Sequence, residues 1–309
     1  MSSKPDHIRS ASRPQRCVEF CRELYLCWDD FWFAAQPVRP IGGRLDVTRV
    51  ALCVAALIFF GSSFGDADYW YSAGAPQSAS NLSAFLQTSG LAADSAWTLS
   101  PLFLTESSLV FYAFLAFGML LSVAVAVGRG GVIAGVTLWV CVVALGNRAL
   151  LLWGVSESLL SLGLFGLMFR CGHDPVPWLQ SLSARLIAVQ ATVVAIATSL
   201  AMFSRDVWWN GLGAFALASP VEDRTIDWTA GQSLLAIETV HDCVTHAIAF
   251  GLPIGLLLAW NRRTSLIGKS ILMLWCLVVA LLGSHWLYGI VFAATVTAIR
   301  PSTQPTSSA

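Results

Sequence analysis

Few residues in this chain of 309 have the type and spacing to do chemistry, and those that do sit beside long apolar runs. Glu238 and His241 are three apart and share one face of a helix. A carboxylate beside a neutral imidazole suits proton transfer at ordinary pH. Glu-x-x-His is also half of a two-metal carboxylate site, but such a site needs a second copy, which the sequence lacks. No metal is therefore assigned. His246 lies five residues past His241 and points elsewhere, so no His-Glu-x-x-His motif arises. His285 lies near the far end of the last apolar run. Arg148 and Glu157 flank a turn. The expected catalytic pocket groups Glu238, His241, His285, Arg148 and Glu157, with Arg205 near the same membrane face. The structural alternative is that hydrogen bonds from these groups cross-link helices, and that Arg148 and Glu157 form an ion pair.

Composition defines the medium that must position them. Hydrophobic residues make up 56% of the chain and charged residues 12%, with a mean hydropathy of +0.68. Soluble domains carry roughly a quarter charged residues. The expected fold class is therefore all-α, a polytopic transmembrane helical bundle of about seven spans with an N-terminal interfacial amphipathic helix. The first partner is the lipid bilayer. Acidic and basic residues cancel, so net charge offers no reason to expect nucleic acid.

Residues 1–14 read as a disordered basic tail. Residues 15–46 read as an amphipathic interfacial helix and a hinge. Cys17, Phe20, Cys21, Leu24, Trp28 and Phe31 form the apolar face, and Cys27 is a third cysteine of the segment. Without histidine or a Cys-x-x-Cys pair these cysteines are small apolar residues rather than zinc ligands. The transmembrane domain is expected at 47–299 and a polar tail at 300–309.

Within that domain the first span is Val47–Phe64. A long loop, Gly65–Pro101, follows without any Lys or Arg, and short surface helices are expected at Asn81–Gln87 and Asp94–Leu99. The second span is Leu102–Val127, closed by the turn Gly128-Arg129-Gly130-Gly131. Val132–Phe169 is too long for one crossing at 1.5 Å per residue, so a turn must fall between Asn147-Arg148 and Gly154–Glu157. The fifth span opens at Ser183 and breaks at Ser204-Arg205-Asp206, before Trp208-Trp209-Asn210-Gly211 and a short apolar piece. The sixth runs from about Gln232 to Trp260, with a kink expected at Pro253. Ile267–Ile299 holds the seventh. On this plan Arg148, Arg205, Arg224 and Arg300 face one side, and the other fourteen Lys and Arg face the opposite side. The positive-inside rule then puts the N-terminus in the cytoplasm.

Arg185-Leu186 with Gln190, an apolar run, and then Trp209-Asn210-Gly211 resemble the core signature of the HTTM family. This is the horizontally transferred transmembrane domain, distantly similar to the membrane part of the vitamin K-dependent gamma-carboxylases. Asp46-Val47-Thr48-Arg49, Asn147-Arg148 with Ser156-Glu157, and His285 are similar to other elements of that family in the same order. The resemblance implies a shared membrane fold over roughly residues 15–298. In the carboxylases a lysine before the Trp–Gly element acts as base, whereas here Met202, Phe203, Ser204 and Arg205 stand in its place. A guanidinium stays protonated and cannot replace that base. The expected role is a membrane accessory or scaffold without carboxylase activity. The alternative is a membrane enzyme acting on a lipophilic small molecule, quinone- or lipid-like, at the outer face. A transporter would need an internal repeat or a continuous polar path, and neither is visible. The sequence names no cofactor.

Overall fold

The computed structural model describes residues 44–90, 100–149, 154–169, 177–218 and 237–299, together with seven residues between 22 and 32. All regular structure among the described residues is helical. We number the helices α1 (Arg44–Gly65), α2 (Ala67–Tyr71), α3 (Ala79–Thr88), α4 (Ser108–Ala126), α5 (Gly131–Arg148) and α6 (Val155–Met168). There follow α7 (Pro177–Phe203), α8 (Asp206–Trp209), α9 (Gly213–Ala218), α10 (Glu238–Trp260), α11 (Ser265–Gly283) and α12 (Trp286–Thr297). A 3-10 turn, Pro101–Leu104, precedes α4.

Six of these helices (α1, α4, α5, α7, α10 and α11) are long and apolar enough to cross a bilayer. Large apolar side chains remain exposed on them, such as Leu109, Leu120, Ile133 and Leu257. So much contiguous apolar surface is incompatible with water and is what lipid contact requires. The chain is an integral, multi-pass membrane protein.

The stretch Ile267–Ile299, expected as one span, is a hairpin of two helices. α11 stops at Gly283, and Ser284 takes a left-handed conformation with φ 55° that reverses the chain. The returning α12 lies along α1, with the Thr297 hydroxyl bonded to that of Thr48 and Lys Nζ of residue 269 donating to the Ile299 carbonyl. Ile299 therefore ends beside the start of α1, at what we term the proximal end of the bundle. Hydropathy alone could not show this, because the turn carries no charge and no proline.

Two further apolar helices, α6 and α12, have 14 and 12 residues. At 1.5 Å per residue they fall well short of a hydrocarbon core of about 30 Å. They tolerate this because protein surrounds them: α12 packs on α1, α6, α7 and α11, and α6 on α1, α5, α7 and α12. Val291, Phe292, Ala294 and Val296 of α12 are buried, as are Leu159, Leu160, Leu164 and Leu167 of α6.

The turns fall where chain chemistry directs. Gly128, Gly130 and Gly131 all have positive φ, which lets α4 reverse into α5 within four residues. The expected turn between Arg148 and Glu157 separates α5 from α6. Asn81–Gln87 lies within α3, capped by the Ser78 hydroxyl, which accepts the Asn81 N–H. The segment Asp94–Leu99, the tails 1–14 and 300–309, and Cys17, Cys21 and Cys27 lie outside the described residues. Of the expected interfacial helix, Arg22, Glu23, Tyr25, Leu26, Trp28, Phe31 and Trp32 are helical. The Phe31 ring lies 5.4 Å from the Arg185 guanidinium, so this segment rests on the proximal part of α7.

Candidate functional site

At the distal end of the bundle, α2, α3 and the 3-10 turn cap the ends of α1, α4 and α5. Tyr71 stacks on Phe111 of α4, ring centres 4.3 Å apart, and the Tyr112 hydroxyl donates to Asp68 at 3.0 Å. The Ser100 hydroxyl donates to the Ala144 carbonyl at 2.7 Å, tying the 3-10 turn to α5. Glu106 accepts the Ser80 N–H at 3.1 Å. The Ser80 side chain first, then this backbone bond, and last the more distant Arg148 charge hold its carboxyl below the usual carboxylate range.

Beneath this cap lies Arg148, which has no solvent exposure. Its guanidinium sits 5.3 Å from the centre of the Phe103 ring. None of its three side-chain nitrogens has a hydrogen-bond partner among the described residues. The expected ion pair with Glu157 is not formed. Glu157 instead accepts the N–H of Gly154 at 2.9 Å, closing the first turn of its own helix. Local capping competes better because donor and acceptor are three residues apart, whereas Arg148 is turned into the cap. Gln77, also fully buried, has neither end of its amide paired among the described residues.

Beside Arg148 opens a pocket of about 200 Å³, lined by Phe59, Ser62, Ser63, Asp66, Trp70, Tyr71, Ala149, Glu157 and Leu287. Its walls come from the distal ends of α1, α6 and α12 and from α2. Ser62 and Ser63 both donate to the Phe59 carbonyl, at 3.0 and 3.1 Å, so their oxygens keep lone pairs. Asp66 precedes α2 without capping it through its side chain. Tyr71 is buried, which pushes its hydroxyl up to about 12, with Arg148 opposing the rise.

The structure splits the expected five-residue pocket. Glu157 lines the cavity and Arg148 lies against it through Ala149. His285 is exposed at the start of α12, two residues before the lining Leu287, and near Leu217. Glu238 and His241 are elsewhere, on the first turn of α10, with the His241 ring 6.2 Å from Phe215 of α9. Among the described residues no three His, Cys, Asp or Glu side chains form a metal-holding group.

The Trp-Trp-Asn-Gly stretch forms the buttress between α7 and α10. The Thr245 hydroxyl donates to the Gly211 carbonyl at 2.6 Å and accepts the Ala214 N–H at 2.8 Å. The Trp209 indole donates to the Phe203 carbonyl at 2.8 Å, and its ring packs on Phe203 and Phe250. Gly211 has φ 75°, and Asp242 occupies the space where its Cβ would stand.

Sequence reasoning missed Ser62, Ser63, Asp66, Trp70 and Tyr71. The available signal was the run Asp66-Ala67-Asp68-Tyr69-Trp70-Tyr71, acidic and aromatic directly after a span, in a loop without Lys or Arg. No family model, no curated protein and no solved structure matches the chain.

Proposed function

We propose that this protein is a membrane-embedded binding protein, an accessory component that holds the polar end of a lipophilic molecule in the distal pocket without converting it. The observation that carries the reading is the pocket itself: one half apolar, with Phe59 and Leu287, and the other half polar, at the end of a lipid-exposed bundle. Such a site suits a molecule that enters from the bilayer and is fixed by a few polar contacts. Glu238 and His241, the pair best suited to proton transfer, stand outside the lining, which favours retention over catalysis. The charge asymmetry supports an outer location for the pocket and a cytoplasmic N-terminus. Kinship with the HTTM type belongs to the same proposal, supported by the order of Arg185, Gln190 and the Trp209-Asn210-Gly211 turn. Met202 is buried and Phe203 packs on Trp209 and Phe250, so an apolar cluster fills the place of the carboxylase base.

The test is mass spectrometry of lipophilic molecules retained by the purified protein, wild type against Ser63→Trp, which fills the cavity. A molecule class enriched on the wild type and lost from the variant supports binding. Identical profiles from two equally folded proteins overturn it.

A further inference from the structure

Resting on the pocket reading above, we infer that the ligand's polar end is a primary ammonium group. Both formal charges in the lining, Asp66 and Glu157, are carboxylates, and no Lys, Arg or His contributes to it. Glu157 spends one oxygen on the Gly154 N–H and keeps the other, while Asp66 makes no cap bond. Asp68, two residues on, is already occupied by the Tyr112 hydroxyl, so the cap's acids are not equivalent. The hydroxyls of Ser62 and Ser63 have committed their protons to Phe59 and offer lone pairs. Trp70 and Tyr71 add aromatic rings, which attract cations. An ammonium group supplies three donors to these acceptors and brings a positive charge to a lining whose formal charges are both negative.

The second line of support is Tyr71. It is 5% exposed, lines the pocket, and has no hydrogen bond to its hydroxyl among the described residues. With the Trp70 indole it forms a pair of neutral donors in a pocket otherwise rich in acceptors. That pair fits an oxygen close to the amine, the arrangement of an ethanolamine headgroup. Even with the Arg148 charge behind Ala149, two lining carboxylates leave the site net negative, which disfavours an anionic amphiphile and which a neutral one would not compensate. The ammonium can come from an ethanolamine lipid of the surrounding leaflet or from a free amine.

The experiment uses the full chain in phosphatidylcholine nanodiscs at pH 7.5, with hexylamine, hexanol and hexanoate as probes of equal chain length, read by the shift in thermal unfolding. Hexylamine is expected to stabilise the wild type and to bind at least ten-fold more weakly to Asp66→Asn and Glu157→Gln. Glu157→Gln keeps an oxygen for the Gly154 N–H, so the helix start survives. Equal binding of hexanol and hexylamine, unaffected by both variants, overturns the ammonium inference and leaves the lipophile pocket standing. Failure of all three probes, with Ser63→Trp indistinguishable from wild type, sinks the pocket reading as well. Repeating the titration in phosphatidylethanolamine nanodiscs separates the sources. Loss of the hexylamine shift there marks the lipid headgroup as the occupant, and an unchanged shift marks a free amine; either result presupposes the ammonium site.

Discussion

Two polar regions stand at the distal end of this bundle and differ in how their hydrogen bonds are met. In the Trp208–Gly211 buttress, Thr245 serves one carbonyl and one N–H, Trp209 bonds to Phe203, and His246 Nδ1 lies 2.9 Å from the Asp242 carbonyl oxygen and 3.2 Å from its carboxylate. Under the cap, Arg148 and Gln77 are buried without a side-chain hydrogen-bond partner among the described residues. Unmet polar groups in a low-dielectric setting are costly, so native proteins keep few of them. The contrast separates a closed structural joint from an open site. Apolar runs surround both, so hydropathy does not distinguish them.

Substitutions can break this contrast in a graded way. The largest effect is expected for Gly211→Ala, which forces a left-handed backbone on a residue with a side chain and drives its Cβ into Asp242. The two costs together destabilise the fold by about 3 kcal/mol, seen as a lower Tm in detergent. Next is the pH response of Tyr71. Its folded pKa of about 12 lies above the ordinary 10, so the unfolded chain releases this proton first. Stability attributable to Tyr71 is therefore constant below pH 10 and falls between pH 10 and 12, by roughly 2–3 kcal/mol. Tyr71→Phe should remove that fall and leave stability at pH 7 nearly unchanged, since the hydroxyl makes no hydrogen bond among the described residues.

Thr245→Val strips the buttress of two bonds and leaves a buried carbonyl and N–H unpaired, costing about 2 kcal/mol. Arg148→Met should act in the opposite direction. It removes a buried cation without a hydrogen-bond partner among the described residues and fills the space with apolar volume, so Tm should rise, corresponding to about 1–2 kcal/mol of added stability. Its loss of favourable charge at the C-terminal end of α5 offsets only a part of this. A fall in Tm with Arg148→Met would mean that the guanidinium is satisfied by something bound, and would redraw the boundary between the two regions.

Much of the fold was legible because membrane helices announce themselves by length and hydropathy. The turns at Gly128–Gly131 and between Arg148 and Glu157 were legible because glycine and charge interrupt apolar runs. The α11–α12 hairpin was not, since Ser284 reverses the chain without a charge or a proline. The central position of α12 also escaped reading, because lipid and protein interior select the same apolar residues. Of the site, Glu157 was picked out by its charge next to a span. Asp66, Trp70 and Tyr71 were hidden in a loop whose folding depends on contacts with α4 that no local pattern encodes, such as Tyr71 on Phe111. Glu238 and His241 share only a membrane face with Arg148 in the sequence, and in the fold they stand on α10, outside the pocket lining.

The most direct test is photo-crosslinking with a diazirine-bearing hexylamine in nanodiscs, followed by peptide mapping. Among the carboxylates of the distal end, Asp66 and Glu157 line the pocket, whereas Glu238 and Asp242 stand on α10. The account predicts labelling of the Phe59–Tyr71 segment and of the region around Leu287, competed away by excess hexylamine and absent from Glu157→Gln. Labelling confined to the start of α10, or spread evenly over the lipid-facing helices, would contradict it.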